Sequence, residues 1–310
     1  MCLERWVWVG VVGLMSFPAA AVEPGKPSAT ALLAAANRAV GARNPDASMR
    51  NPDYLAEKFF GPEERAILGK FFPPALQALD MDFERAAAQG MGMLGRTRFY
   101  DAMFLSAIQD GARQIVNLGA GLDTRAYRFQ EKLRGIKTFE LDFGPTQEYK
   151  KLRVREILGA LPSHVVYVPI DFTKEELGKV LRKAGYRPEI KTFYIWEAVT
   201  RYLPEEAVSA TLRFVAQNSV PGSTIAFDYY TERPSPARNE SFKRMGETIL
   251  LGFPVGRAKE FLSEQGLQMT LHLGPDEMTA RYHTRPDGSV WGRANSDPRY
   301  CTAVVPRKIR

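Results

Sequence analysis

The sequence predicts an α/β fold, a seven-stranded and mostly parallel sheet with helices on both faces and an N-terminal helical cap. Three observations predict it. Strand-like apolar runs alternate with helical patterns from residue 113 onwards. A polar link rich in glycine and proline, residues 274–298, joins the last two strands without a helix, so the final strand is expected to return antiparallel. Residues 28–112 carry helical patterns only.

Residues 1–27 are interpreted as a signal-like segment and a linker outside the fold. Residues 6–15 form an apolar run, and the small residues that end at Ala21 fit a secretory cleavage site. The run is too short for a comfortable membrane span. Glu4 offsets the charge of Arg5, the only arginine in residues 1–21, and the lack of positive side-chain charge argues against export. Met15 is an alternative start that would delete the run. Cleavage and a later start both stay open.

Residues 28–112 predict the helical cap. Ser28 is a candidate N-cap for a first helix, which Gly41 would end. Glycine and proline break the helical patterns that follow, which cover residues 53–60, 62–80 and 83–110.

Residues 113–310 predict the main domain. Its candidate strands are residues 114–118, 138–143, 164–170, 192–197, 223–229, 267–273 and 299–306, and its helical patterns cover residues 123–134, 145–160, 173–185, 204–218 and 256–266. Residues 231–253 interrupt this alternation after the fifth strand. Because ligands bind at the carboxyl ends of parallel strands, this insertion is a candidate lid or substrate wall. A surface excursion is the alternative.

The first strand of the main domain leads into a glycine turn. Gly119 and Gly121 follow the strand, and an acid at the end of the next strand, Asp142, lies about 20 residues downstream, where a ribose-binding acid is expected. The third glycine of the dinucleotide fingerprint is absent, since position 124 is Thr124. This argues against NAD and FAD and favours a nucleoside without a pyrophosphate, such as S-adenosylmethionine. An ordinary strand–turn–helix junction is the alternative.

Acidic residues recur where the predicted strands end: Asp142, Asp171, Glu197 and Asp228. Because these ends share one edge of the sheet, the acids can converge on one crevice, where they would suit a positively charged adenosyl ligand. Helix capping is the alternative for each acid singly.

Composition excludes other classes of protein. The net charge is +7, but lysine and arginine are spread along the chain and form no basic run, so no nucleic-acid partner is expected. The two cysteines lie near opposite ends, and the three histidines are far apart, so no metal site is expected.

Four ordered stretches resemble the motifs of the leucine carboxyl methyltransferase family. They are QIVNLGAGLDTRAYRF from Gln114, FELDFGPTQEYKKLRV from Phe139, IDFTKEEL from Ile170 and FYIWEAVTRYLPEEAV from Phe193. SATALLAAANRAVGAR and RTRFYD, which come earlier, resemble the bacterial branch of that family. The resemblance covers about residues 28–270. It implies the class I methyltransferase architecture, a Rossmann-like sheet whose last strand is antiparallel.

The resemblance also implies roles in binding S-adenosylmethionine. It implies that Arg98, more than Arg96, holds the methionine carboxylate. The other implied roles are Gly119 and Gly121 near the methionine moiety, Asp142 on the ribose, Asp171 with Phe172 at the adenine, and Glu197 near the amino group. Where relatives often read glutamate–glycine–valine in the fourth motif, this chain has Ala198 after the glutamate, and Arg201 before Tyr202 is also unusual. We therefore expect the substrate side of the pocket to differ.

The expected function is S-adenosylmethionine-dependent O-methyl transfer to a carboxylate or hydroxyl of a small molecule, or to a terminal carboxylate. A carboxylate acceptor needs no base, whereas a hydroxyl needs one. Tyr202, His272 and His283 are candidates for that base, and none is assigned. A noncatalytic adenosyl-binding protein and an NAD-linked dehydrogenase are the alternatives. A cofactor made in the cytosol favours a cytoplasmic protein, and the signal-like segment leaves export open. No stable membrane span is expected, and the oligomeric state is not predicted.

Overall fold

The structure, a computed structural model, describes residues 27–88, 93–172, 174–231, 235–244 and 247–307. The cleavage site at Ala21 and the alternative start at Met15 lie outside these ranges, as do parts of the candidate lid. Within the described ranges, no helix has both the length and the apolar composition that crossing a membrane requires.

The described residues build a single seven-stranded sheet, as the alternation of patterns predicted. Its strands are β1 Gln114–Leu118, β2 Lys137–Asp142, β3 Val165–Pro169, β4 Thr192–Trp196, β5 Thr224–Tyr230, β6 Gln268–Leu273 and β7 Pro298–Val304. Their order across the sheet is β3-β2-β1-β4-β5-β7-β6. The first five strands are parallel, and β7 runs antiparallel between β5 and β6. The prediction of one late antiparallel strand is confirmed.

Helices cover both faces of the sheet and form a separate layer at the N-terminal end. They are α1 Ala29–Ala42, α2 Pro62–Phe71, α3 Pro73–Asp80, α4 Phe83–Ala88, α5 Leu94–Gln109, α6 Arg125–Arg128, α7 Gly144–Leu158, α8 Leu177–Lys183, α9 Glu205–Gln217, α10 Pro236–Arg244, α11 Ala258–Glu264 and α12 Pro275–Tyr282. Ser28 caps α1, as predicted, by accepting a hydrogen bond from the Ala31 N–H.

The alternation of side chains along the strands divides the core between the two faces of the sheet. Val116 and Tyr194 point into the cluster that contains α8, α9 and α11. Ile115 and Phe193, their neighbours in sequence, point into the cluster that contains α5 and α12. A third cluster joins α1, α2 and α3 to α6 and α7. Helix α5 belongs by sequence to the predicted cap, but it packs on the sheet. The boundary between cap and main domain at residue 112 therefore stays a prediction.

The link between the last two strands differs from the prediction, because it contains helix α12. Glycine followed by proline is typical of a loop, but here the proline lies in the first turn of a helix, where its missing N–H costs nothing. The Glu277 carboxylate accepts the Gly274 N–H at 3.0 Å and closes the helix start. Met278 is buried against the cluster that contains α5, so tertiary packing stabilises the short helix.

Candidate functional site

A cavity of about 580 Å³ opens at the carboxyl ends of the parallel strands, a volume within the usual range for small-molecule sites. This is the edge where open α/β sheets bind ligands. Six of the seven residues predicted to bind the cofactor line it: Gly119, Gly121, Asp142, Asp171, Phe172 and Glu197. The fold therefore brings to one surface residues that the sequence separates widely.

The glycine turn after β1 forms the floor of this cavity. The N–H groups of Gly119 and Ala120 donate to the Leu141 carbonyl at 2.9 and 2.8 Å, so the turn is fastened to β2. Gly119 has φ +74°, and a Cβ atom there would lie 2.4 Å from Cγ2 of Val199. Both the left-handed backbone and the close contact therefore require glycine at this position.

Asp142, at the end of β2, is oriented by two backbone donors. The Gly121 N–H donates to its Oδ2 at 2.5 Å, and the Phe143 N–H donates to its Oδ1 at 2.7 Å. Each carboxylate oxygen can accept a second hydrogen bond, so both stay competent to accept from vicinal ribose hydroxyls. Burial raises the pKa of Asp142 above its usual value, although the two backbone donors oppose this.

Asp171 and Phe172 follow β3 and form another wall. The Asp171 carboxylate pairs with Lys174 at 2.9 Å, and its backbone N–H donates to Glu175 Oε2 at 2.8 Å. Phe172 is half-buried and packs at the edge of the main core. A hydrogen-bond acceptor beside an aromatic ring suits a nucleobase. The acceptor can bind the amino group of the nucleobase, and the aromatic ring can stack on its flat face.

Glu197, directly after β4, is held between two arginines. Its Oε1 lies 2.6 Å from Nε of Arg96, and its Oε2 lies 2.8 Å from Arg125. Burial opposes ionisation, but the two guanidinium groups outweigh it and hold the pKa of Glu197 below its usual value. A cationic amino group in the cavity would therefore meet an ionised carboxylate.

The Glu197 ion pairs belong to a longer buried network that sequence reasoning missed. Arg125 also pairs with Asp101 and Asp123, at 2.8 and 2.6 Å. Arg128 pairs with Asp101 at 2.8 Å and with Asp53 at 3.6 Å. Asp53 in turn pairs with Arg38 of α1 at 2.7 Å. The first motif contains Asp123 and both of the α6 arginines, so their clustering was a usable signal. Nothing in the sequence shows that Asp53 and Arg38 join them.

Arg98 is placed away from the cavity lining. Its guanidinium donates to the carbonyl oxygens of Ser48 and Tyr282, the latter at 3.2 Å. Arg96 lies two positions earlier on α5 and lines the cavity. Because successive helix residues are rotated by about 100°, residues two apart face nearly opposite directions, and only one can reach the cavity. The role of Arg98 stays a prediction, and Arg96 is the better placed arginine.

A sequence profile of the leucine carboxyl methyltransferase family matches residues 31–216, more than half of the chain. The chain belongs to this family.

Three similar proteins illustrate how much of the chain is shared with known proteins. A protein of Mycolicibacterium gilvum, provisionally named as an S-adenosyl-L-methionine-dependent methyltransferase, is 37% identical over 209 residues, 65% of each chain. The match thus spans just under two thirds of that relative. A similarly named protein of Mycolicibacterium smegmatis is 30% identical over 292 residues, 89% of this chain and 93% of its own. The magnesium protoporphyrin IX methyltransferase of Synechocystis covers 68% of this chain and 83% of its own, with 11% identity and a TM-score of 0.42.

In this member of the leucine carboxyl methyltransferase family, the first departure in the fourth motif has a conformational consequence. Ala198 has φ +59°, in the left-handed region that favours glycine. Its N–H donates to Oδ1 of buried Asp228 at 2.6 Å, and the Tyr100 hydroxyl donates to the same oxygen at 2.7 Å. Asp228 does not line the cavity. It lies behind the fourth motif and holds its turn in place.

The second departure, Arg201, also lines the cavity, and its guanidinium lies 3.6 Å from the centre of the Tyr230 ring. Tyr202, Tyr230 and Phe242 line the cavity too, and Phe242 comes from the insertion at residues 231–253. Glu247, also from the insertion, accepts hydrogen bonds from the hydroxyls of Ser28 at 2.5 Å and Thr30 at 2.7 Å. The described part of the insertion therefore contacts the start of α1 across the cavity, and its role as a lid stays a prediction.

The candidate bases differ in their access to the cavity. Of the three, Tyr202 alone is among its described lining residues. Burial raises the pKa of Tyr202 far above its usual value. His272 contacts the Tyr229 hydroxyl at 2.9 Å, and burial lowers its pKa. His283 lies beside Trp291, and burial lowers its pKa too.

Proposed function

We propose that this protein is an S-adenosylmethionine-dependent O-methyltransferase that methylates a carboxylate or hydroxyl of a small molecule, or a terminal carboxylate. One observation carries the proposal. A single cavity brings the glycine turn, the carboxylates of Asp142 and Glu197, and the Asp171–Phe172 pair to the carboxyl edge of the sheet. Family membership and the names of the relatives support the same cofactor and reaction.

The cavity fits the cofactor by its chemistry. Gly119 and Gly121 offer a turn without side chains against the methionine moiety, and Asp142 would accept from the ribose hydroxyls. Asp171 with Phe172 would hold the adenine. Glu197 would attract the amino group, and Arg96 would meet the carboxylate more readily than Arg98 does. Such a donor set favours a ligand that carries positive charge beside a nucleoside.

The cofactor, when bound, supplies a sulfonium methyl group for in-line displacement by the acceptor oxygen. The protein's own residues contribute placement, and orientation of two reactants can supply roughly 7–11 kcal/mol of the barrier. No histidine occurs among the described lining residues, and the oxygens of Glu247 already accept from two hydroxyls. The site thus suits a carboxylate acceptor, which needs no base, better than a hydroxyl.

Binding of S-adenosylhomocysteine, measured by isothermal titration calorimetry, tests the cofactor assignment. We expect the wild-type protein to bind it. We expect Asp142→Asn to weaken binding by about tenfold to a hundredfold, the value of one or two hydrogen bonds to a charged group. Asp110→Asn, at an exposed helix end, is the matched control and should bind as the wild type does. A folded wild-type protein without affinity would contradict the proposal.

Turnover separates an enzyme from a noncatalytic binder. Methyl transfer from labelled S-adenosylmethionine to a panel of carboxylic acids and phenols should give labelled ester or ether product. Cofactor binding without turnover on any acceptor would favour the noncatalytic alternative. Tight binding of reduced nicotinamide cofactor, followed by its fluorescence, would instead favour a dehydrogenase.

A further inference from the structure

Arg201 differs from the other arginines that line the cavity in its partners. Arg38, Arg96, Arg125 and Arg128 each pair with a carboxylate. Among the residues that the structure describes, no carboxylate pairs with Arg201, and its buried Nε has no hydrogen-bond partner. Only 7% of the residue is exposed, and it lines the cavity. A buried charge without a counter-charge is unfavourable and is normally compensated by a partner.

Aromatic rings hold this guanidinium in place. Its Cζ lies 3.6 Å from the centre of the Tyr230 ring, with the Phe242 and Tyr202 rings at 5.7 and 6.0 Å. A stacked guanidinium keeps its N–H groups along its edge, in the fork that matches the two oxygens of a carboxylate. The rings therefore restrict the motion of Arg201. One hydrogen bond links its side chain to that of Tyr230, and its Nε–H keeps no partner.

The cavity lining carries two sets of charged groups that suit two different ligands. One set comprises the carboxylates of Asp142, Asp171 and Glu197, and the other is Arg201 with its aromatic neighbours. A cationic donor suits the carboxylates. An anionic group attached to a flat or apolar body suits Arg201, because it would pair with the arginine and cover the rings.

We propose that Arg201, with Tyr202, Tyr230 and Phe242, forms an acceptor-recognition site for an anionic small molecule with an aromatic or apolar body. The proposal rests on the proposed function, since it assigns the acceptor class of the same cavity. Arg201 is a specificity-determining residue in it. It selects the charge of the acceptor, whether the bound carboxylate is the one that is methylated or a second anionic group.

The test compares charged and neutral probes that share one body. Protein saturated with S-adenosylhomocysteine is titrated calorimetrically with phenylacetate, indole-3-acetate and decanoate, each against its primary amide. We expect at least one acid to bind about tenfold or more tightly than its amide, as a charge-assisted bidentate pair implies. Equal affinity within every pair, or no binding of any acid, would overturn the inference.

Variants locate the preference on the residue. Arg201→Gln should abolish the preference for the acid and leave the amide unaffected, whereas Arg201→Lys should keep part of it. Arg257→Gln is the matched control, because Arg257 also lies beside two aromatic rings but pairs with Glu205 at the exposed surface. It should keep the whole preference. A preference that survives in Arg201→Gln would overturn the assignment.

Affinity for S-adenosylhomocysteine distinguishes the two failures. If the wild-type protein binds S-adenosylhomocysteine but shows no preference for acids, the acceptor site is wrong and the proposed function stands. If it binds no S-adenosylhomocysteine, the proposed function itself fails. Thermal unfolding of each variant in the presence of S-adenosylhomocysteine shows whether a loss of acid preference comes from misfolding. If Arg201→Gln does not fold, Arg201→Lys is compared with the wild type instead.

Discussion

Two parts of the cavity lining are built in different ways. The glycine turn and Asp142 form a site from adjacent strands, in which backbone N–H groups orient one carboxylate. The other part is a chain of arginines and carboxylates that comes from α1, the following loop, α5, α6 and the end of β4. The first depends on local conformation and the second on how distant segments pack. A single substitution should therefore disturb the two parts differently.

The largest effect is expected from Arg125→Met, which removes the centre of the ion-pair network. Three buried carboxylates, Asp101, Asp123 and Glu197, lose a partner at 2.6–2.8 Å. Breaking such a buried network should lower the free energy of unfolding by about 3–5 kcal/mol. Urea denaturation at neutral pH measures it. Arg134→Met, which breaks the exposed pair with Glu131, is the control and should change little.

The pH dependence of this difference tests its cause. Burial opposes ionisation of Asp123 and Glu197, but the neighbouring arginines outweigh it, so the pKa of each is lowered. Their pairing stabilises the fold above the usual carboxyl pKa and is lost as the pH falls through the lowered values. In Arg125→Met the unpaired acids take up protons at a higher pH than in the wild type. The difference in unfolding free energy between the two proteins should therefore shrink as the pH falls towards about 4. A difference that does not change with pH would indicate that lost packing causes it, and not lost charge pairing.

Gly119→Ala, in the glycine turn, should give the next largest effect. The left-handed backbone and the 2.4 Å approach to Val199 should together cost roughly 2–4 kcal/mol of unfolding free energy. Calorimetry should also show loss of S-adenosylhomocysteine binding, because the turn must shift.

Gly135→Ala separates the two causes. Gly135 has φ +75°, but nothing lies within 4 Å of a Cβ atom built there. It should lose only about 1–2 kcal/mol and keep its ligand affinity. Equal effects at the two glycines would mean that the contact with Val199 is unimportant.

The smallest effect is expected from Ala198→Gly, which restores the residue often found in relatives. Glycine removes a left-handed strain of about 1–2 kcal/mol and adds about 0.5–1 kcal/mol of unfolded-chain entropy. The variant should therefore be unchanged or up to about 1.5 kcal/mol more stable by thermal unfolding. Ala207→Gly, inside α9, should instead lose about 1 kcal/mol. Similar losses in both variants would show that Ala198 is not strained.

Local patterns predicted much of the fold and part of the site. Each of the seven strands of the described sheet overlaps a candidate strand. The central strands β1 and β4 are buried along their whole length, which favours apolar residues. Asp142 and Glu197 could be placed together because parallel strands end at one edge. The sequence did not predict helix α12, because a glycine followed by a proline occurs both in loops and at the start of helices. Only the packing of Met278 in the core distinguishes the two cases.

The amino-acid sequence by itself determined the order of strands and helices, the glycine turn and the acids at the strand ends, since these depend on neighbours along the chain. Only the tertiary structure decided which arginine of α5 faces the cavity, which carboxylates become paired, and that Arg201 stays without one. Those outcomes depend on contacts between distant segments, as between Arg96 and Glu197, which are 101 residues apart. Charge pairing at that distance leaves no periodic pattern in the sequence.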